Sequence, residues 1–192
     1  MNPIFVILVF TLFLIVFISS LDSLLALQYT NYTSHQLQVQ FQYPSTWKIL
    51  ENKSIDANSI KITDPDPSSG DGDIIIVSKA LSDEQASNLS NSGIRVITEI
   101  DLQSLDNSSS FEYNVIKYPS YLTIDGNKAG TFLYLMRSKM NSFLEMYTAQ
   151  AWSVPAGDRY YRIGFLAIGD FFSSTNYTEI RDRFINSIKF LN

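Results

Sequence analysis

The alternation of apolar and polar residues is clearest over Leu37–Tyr43, a run that ends at Pro44. Side chains of a strand point to opposite faces in turn, so the apolar residues share one face and the intervening glutamines the other. The apolar face comprises Leu37, Val39, Phe41 and Tyr43. Pro44 has no amide hydrogen to donate and is expected to end the strand. The pattern predicts a half-buried strand with Trp47 packed behind it.

Several later runs also have the composition of strands. Ser59–Thr63 predicts a short strand, and the β-branched centre of Asp73–Lys79 predicts one that is buried on both faces. Four further segments, separated by short turns, predict an antiparallel meander. They are Glu112–Leu122, Lys128–Ser138, Asn141–Trp152 and Arg159–Ile168. The second has apolar residues on both faces, with Phe132, Tyr134 and Met136 on one and Leu133 and Leu135 on the other. Other elements must therefore cover both faces.

Helical periodicity is strongest near the end of the chain. Ile180, Phe184 and Ile188 recur at i, i+4 and i+8. Asn176, with Glu179 three residues on, has capping-box spacing. A short helix is also predicted after Ser82, whereas Ile94–Asp106 is compatible with a strand or a helix. An amphipathic C-terminal helix over an antiparallel sheet, with more cover on the far side, indicates an α+β sandwich.

The first segment concerns export. Ile4–Ile18 is apolar apart from Thr11, and as a helix it would be about 22 Å long, shorter than the roughly 30 Å core of a bilayer. That length fits a signal peptide, and a retained anchor would have to extend past Asp22 to Leu27. We expect residues 1–27 to be a signal peptide or membrane anchor, 28–36 a polar linker and 37–192 one domain. In either case the domain is exported and secreted or held at the cell surface.

Composition narrows the chemistry. There is no cysteine, which excludes disulfides, thiolate catalysis, cysteine zinc sites and a lipidated cysteine. The net charge is −5 without basic clusters, which argues against a nucleic-acid partner. Contact with a membrane is expected only through the N-terminal segment.

Five N-x-[ST] sequons fit an exported, glycosylated surface, although a chain rich in Asn and Ser also produces such matches. Their asparagines are Asn31, Asn52, Asn88, Asn107 and Asn176.

Four short motifs resemble the PsbP-like family, named for an extrinsic subunit of the oxygen-evolving photosystem. They are Phe41-Gln-Tyr-Pro-Ser-Thr-Trp47, Ile124-Asp-Gly-Asn-Lys-Ala129, Tyr160–Ala167 and Ile185-Asn-Ser-Ile-Lys-Phe190. The resemblance is nearest to secreted archaeal members with a polar linker after the export segment. It implies an α/β/α sandwich with a central antiparallel sheet. It does not imply an activity, because members of the family serve as accessory or partner-binding modules.

An acidic loop is the sharpest local constellation. It contains Asp64, Asp66, Asp71 and Asp73, and carboxylates at such spacing can ligate calcium. The spacing differs from the EF-hand pattern, and Asp, Pro and Gly also serve turn geometry. Calcium is the one cofactor that the sequence suggests.

Aromatic residues could line a ligand groove or fill the core. The candidates are Trp47, Trp152, Tyr134 and Tyr147. Phe171 and Phe172 pose the same choice between an exposed lip and a core cap. For hydrolysis, a serine-type triad would need His35, the only histidine, which falls in the predicted linker. Glu112, Glu145 and Asp170 are the carboxylates that could pair for glycoside chemistry.

The sequence favours an exported, non-catalytic module that binds a protein or small ligand at the cell surface. The alternative is a small calcium-dependent or hydrolytic protein built on the same sheet. A binding module predicts a shallow surface site, whereas an enzyme predicts convergent carboxylates in a deep pocket.

Overall fold

A seven-stranded antiparallel sheet forms the centre of the computed structural model, which describes residues 27–53, 58–66, 72–106, 110–139 and 146–191. The predicted signal or anchor segment lies outside these residues, except for Leu27. The strands are β1 (Tyr29–Ser34), β2 (Val39–Pro44), β3 (Lys48–Lys53), β4 (Asn58–Thr63), β5 (Asp73–Ala80), β6 (Phe111–Ile124), β7 (Asn127–Ser138), β8 (Tyr147–Ala156), β9 (Arg159–Ile168) and β10 (Lys189–Phe190). The helices are α1 (Asp83–Ser92), α2 (Ile94–Asp106) and α3 (Thr175–Ser187), with a 3-10 helix at Gly169–Ser173.

The central sheet has the order β3-β4-β5-β9-β8-β7-β6, and a small sheet has the order β1-β2-β10. Every strand pair is antiparallel. The predicted meander is confirmed as β6 to β9, and its hairpin between β6 and β7 turns at Asp125 and Gly126, both with positive φ. Positive φ at both central positions gives the turn a twist that matches the flanking strands. The α+β class is confirmed.

One face of the central sheet packs against β2 and α3. Val39 and Phe41 of β2 are fully buried there, as the alternation of the opening strand predicts. Leu37 is also fully buried, but it lies in the turn before β2, where Gln38 has a positive φ. On α3, the buried residues include Ile180 and Phe184 of the predicted stripe. The sequence pattern thus identified the two elements that cover this face.

The other face packs against α1 and α2. Leu102 and Leu105 of α2 contact a cluster that includes Phe132 and Tyr134. Ile94 and Ile97 pack with Tyr160. The ambiguous segment Ile94–Asp106 is therefore a helix, because its apolar residues meet this face of the sheet at helical spacing.

Several local assignments differ from those predicted from the sequence. Tyr29–Ser34, in the segment predicted as a polar linker, forms β1 and pairs with β2 along its whole length. The N-cap of α3 is Ser174 and not Asn176, because the helix begins at Thr175 and the Ser174 hydroxyl accepts the Tyr177 amide. Pro155, predicted as part of a turn, lies inside β8.

Within the part of the chain that the structure describes, no helix is both long and apolar enough to cross a membrane.

Candidate functional site

An open groove lies where β1, β2, the C-terminal half of α3 and β10 meet. Its cavity volume is about 610 Å³, within the roughly 300–1,000 Å³ of small-ligand sites. It is lined by Asn31, Gln40, Phe41, Gln42, Arg183, Asn186, Ser187 and Lys189. We call it the amide groove. It follows from the alternation in β2, because burying Phe41 toward the core turns Gln40 and Gln42 outward.

Gln42 is the centre of a hydrogen-bond network in the amide groove. Its backbone amide donates to Ser187 Oγ at 2.8 Å, and its side-chain amide donates to Asn31 Oδ1 at 3.1 Å. Its side-chain oxygen accepts from Arg183 Nε at 3.2 Å. The network ties β1, β2 and α3 together and fixes the amide planes.

Arg183 is held on two sides. Its guanidinium carbon lies 4.0 Å from the centroid of the Tyr29 ring, and its Nε is bound by Gln42. No carboxylate among the described residues forms a salt bridge with it. Burial raises the pKa of Tyr29, Glu179 raises it further, and the Arg183 guanidinium opposes this. Arg183 is thus an oriented cation whose terminal nitrogens remain available.

The second cation of the groove is neutralised. Lys189 Nζ lies 2.9 Å from Asp125 Oδ1, and the Phe190 amide donates to Asp125 Oδ2 at 2.8 Å. The hydrogen bonds from Lys189 and Phe190 hold the pKa of the Asp125 carboxyl below its ordinary value. The unpaired positive charge of the groove therefore belongs to Arg183.

A buried polar cluster lies on the opposite face of the sheet, under α2. Asp101 is 4% exposed. Its carboxylate accepts a hydrogen bond of 2.5 Å from Ser153 Oγ and forms an ion pair with Arg162. Arg162 also donates to Ser104 Oγ at 3.1 Å. Ser153 is fully buried and out of reach of any substrate. The arrangement fits the docking of α2 on β8 and β9 better than catalysis.

The acidic loop is described in part, since Asp71 lies outside the described residues. The Asp64 carboxylate accepts the Asp66 amide at 3.0 Å and the Tyr177 hydroxyl at 3.1 Å. Asp73 pairs with Lys61 at 2.8 Å, and its second oxygen is buried without a hydrogen-bond partner. Over the described ranges, no three acidic or histidine side chains converge as a metal site would require.

The four aromatic residues predicted to line a groove lie on two faces of the sheet. Trp47 and Trp152 are buried in the cluster beneath α3, whereas Tyr134 and Tyr147 belong to the cluster beneath α2. The structure does not bring the four together. Phe172 is buried, and Phe171 is 43% exposed.

The remaining candidate residues lie apart. His35 is exposed in the turn between β1 and β2, Glu112 is exposed on β6, and Asp170 is exposed in the 3-10 helix. Glu145 lies outside the described residues. Among the sequon asparagines, Asn31, Asn52 and Asn176 are exposed. Asn88 lies in α1, and Asn107 is outside the described residues.

The amide groove was not predicted from the sequence. The sequence did contain one signal. The outward face of β2 carries glutamines in place of the charged residues that are common on a solvated strand. The partners on α3 were missed because Arg183 fits an ordinary solvent-facing helix position equally well. Asp101 lies on the inward face of α2 beside apolar residues, and a carboxylate in such a position usually has a buried partner. This inference could be made only after the segment was known to be a helix.

No protein-family model and no curated protein matches this sequence. Among solved structures, LpqN of Mycobacterium tuberculosis, described as involved in cell envelope biogenesis, matches with a TM-score of 0.56 at 14% identity, over 86% of this chain and 92% of its own. Cyanobacterial PsbP (CyanoP) of Synechocystis sp. PCC 6803 matches with a TM-score of 0.54 at 12% identity, over 86% of this chain and 94% of its own.

A structure from Bacteroides thetaiotaomicron VPI-5482 matches with a TM-score of 0.53 at 13% identity, over 84% of this chain. The match covers 48% of that protein, so this chain spans about half of its length. Identities this low establish the fold and nothing about activity. The chain has a PsbP-like fold, as its strand and turn motifs predict.

Proposed function

We propose that the protein is an exported, non-catalytic module that binds a ligand at the cell surface through the amide groove. The observation that carries the proposal is Arg183, a cation fixed by Gln42 and Tyr29 at the wall of an open groove. Holding a long side chain in one geometry has an entropic cost. A groove that has already met that cost binds a ligand with less loss of freedom.

Two features support a cell-surface location. The N-terminal segment has the length of a signal-peptide core, and Asn52 and Asn176 of the sequons are exposed. The fold is also found in LpqN, a protein described as involved in cell envelope biogenesis. We propose the same compartment for this chain, and we propose that its relatives are secreted archaeal proteins of the PsbP-like kind.

The buried carboxylate of Asp101 has a structural role, which supports a binding function over a catalytic one. An enzyme of the hydrolytic kind needs an accessible nucleophile or paired carboxylates. Here Asp101 is committed to Arg162 and Ser153 beneath a helix. Glu112 and Asp170, both exposed, stand on separate elements.

The test combines fractionation with retention. Cells producing the full-length protein are separated into soluble and envelope fractions, and the purified protein is then incubated with washed envelopes. We expect the protein in the envelope or the medium, with retention that falls in Arg183→Gln and is unchanged in Arg95→Gln. Arg95 is a matched control because it lies on α2, across the central sheet. Recovery in the cytosol, or equal retention of the two variants, would contradict the proposal.

Calcium binding at the acidic loop is a second proposal, favoured by the buried and unpartnered oxygen of Asp73. We expect calcium to raise the melting temperature of the parent protein and not that of Asp73→Asn, because the carboxylate oxygen supplies a ligand that an amide supplies poorly. Magnesium at the same concentration is the control. A parent protein whose melting temperature does not respond to calcium ends the idea.

A further inference from the structure

We propose that the ligand of the amide groove is an acidic saccharide, a sugar unit that carries a carboxylate, with the anion bound by Arg183. This inference rests on the proposed function and names the chemical class of its ligand. It follows from which hydrogen-bonding groups remain free in the groove, from its charge and from its mostly polar lining.

Donors dominate what the groove offers to a ligand. The side-chain oxygens of Asn31 and Gln42 already accept bonds from Gln42 and Arg183. Ser187 Oγ accepts the Gln42 amide and donates to the Phe184 carbonyl. The Asn31 amide and the Arg183 terminal nitrogens keep N–H groups toward the cavity. A ligand rich in acceptor oxygens matches this surface.

The charge of the groove selects an anion. Its lining contains Arg183 and Lys189 and no carboxylate, and Lys189 is paired with Asp125. Glu179 lies one turn before Arg183 without forming a salt bridge to it. With Nε bound to Gln42, the guanidinium presents its two terminal nitrogens side by side. That fork matches a carboxylate in a bidentate contact.

The polar character of the lining favours a saccharide over a peptide or a lipid chain. Phe41 is the apolar member of the lining, and it is fully buried. The groove therefore has no exposed apolar anchor of the kind on which peptide recognition depends. Asn186 and Gln40 instead add amides beside Arg183, and planar amides bond adjacent hydroxyls through both their donor and their acceptor.

The experiment titrates the full-length protein with trigalacturonate by calorimetry. A glycan found on Asn31 by mass spectrometry would itself contradict the inference, because it would occupy the amide that faces the groove. Neutral maltotriose, triglutamate and inorganic phosphate are the comparison ligands. We expect trigalacturonate to bind at least roughly tenfold more tightly than each of them, because only it supplies both a carboxylate and hydroxyls. Arg183→Gln is expected to lose at least roughly tenfold in affinity for it, and Arg95→Gln to stay within about twofold.

Each alternative result overturns a distinct part of the inference. If maltotriose binds as tightly as trigalacturonate, the anion does not contribute to binding. If phosphate binds as tightly, the sugar does not contribute. If triglutamate binds as tightly, the groove recognises an acidic peptide and not a saccharide. If trigalacturonate does not bind while envelopes still retain the protein through Arg183, the ligand class is wrong and the proposed function stands. Cleavage of trigalacturonate during the titration would instead overturn the non-catalytic function.

Discussion

At the scale of single residues, Gly130 sets how closely α2 approaches the central sheet. A Cβ atom built on Gly130 would lie 1.9 Å from Thr98 Oγ1. Both residues are buried, so neither can move into solvent. We expect Gly130→Ala to lower the free energy of unfolding by about 2 to 3 kcal/mol, because the extra methyl forces the helix off β7. Urea denaturation measures this change.

Gly164→Ala is the matched control for that substitution. Its Cβ would meet Leu166 Cδ1 at 3.6 Å, which is an ordinary contact. We expect a change within about 0.5 kcal/mol. Adding Thr98→Ala to Gly130→Ala should recover part of the loss, because it removes the nearest atom. Equal effects of the two glycine substitutions would mean that α2 yields freely and that the contact is unimportant.

Single residues also show the limit of sequence reasoning. Val39 and Phe41 were placed on the buried face because one alternating run contains all the information needed. Arg183 could not be assigned to the groove, because its contacts with Tyr29 and Gln42 join positions far apart in the chain. Burial is readable from local pattern, whereas the partner of a surface side chain depends on the tertiary fold.

At the scale of elements, the ion pair of Arg162 with Asp101 fastens α2 to β9. The Asp101 side chain is 5% exposed, and that of Arg162 is 42% exposed. We expect Arg162→Met to lower the free energy of unfolding by about 2 kcal/mol, because it leaves a buried carboxylate without a cation. The partial exposure of Arg162 keeps the effect below that of a fully buried pair. Hydrogen exchange should show reduced protection in α2.

Arg95→Met is the control at this scale. It breaks the exposed pair with Glu99, in which the side chains are 73% and 44% exposed. We expect no resolvable change in the free energy of unfolding, because an ion pair this exposed to solvent contributes little. A double-mutant cycle with Asp101→Asn and Arg162→Met should give a favourable coupling energy. If Arg162→Met and Arg95→Met behave alike, the buried pair contributes nothing to the docking of α2.

The elements divide into those with a local signal and those without. The strands of the meander carry their own periodicity and turn residues, and the sequence predicts β6, β7 and β9 within two residues. The prediction for β8 was less accurate, since the strand begins at Tyr147 and ends at Ala156. β1 carries no such local signal, since Tyr29 and Tyr32 are its only large side chains of apolar character. It is a strand because β2 supplies a complete row of partners. Pairing across a sheet can thus impose a strand on a segment with the composition of a linker.

At the scale of the whole molecule, the central sheet is buried on both faces by elements from different parts of the chain. The sequence indicates this because β7 is apolar on both sides, so the α+β class follows from pattern. The site does not follow in the same way. The amide groove forms only when β1, β2, α3 and β10 meet, because each of these elements contributes part of its lining.

Buried tyrosines make the stability of the molecule depend on alkaline pH. Burial raises the pKa of Tyr134 to about 12, with further raising by Tyr113 and opposition from Arg162. Burial also raises the pKa of Tyr29, Tyr32 and Tyr161. In the unfolded chain a tyrosine loses its proton near pH 10. Between about pH 10 and 12 the native state thus holds protons that the unfolded state has lost, and stability falls as pH rises.

We therefore expect full stability below about pH 10 and a steep loss of the free energy of unfolding above it. Tyr134, which is 8% exposed and has the raised pKa, accounts for about 2 kcal/mol of this loss. Tyr134→Phe should flatten this dependence, because phenylalanine has no proton to lose. Tyr121→Phe removes the same hydroxyl from a side chain that is 49% exposed, and should retain the slope of the parent. Urea unfolding at stepped pH gives the free energies, and tyrosinate absorbance reports ionisation. A Tyr134→Phe protein that loses stability as steeply as the parent would show that Tyr134 ionises without unfolding, and that α2 leaves its hydroxyl open to water.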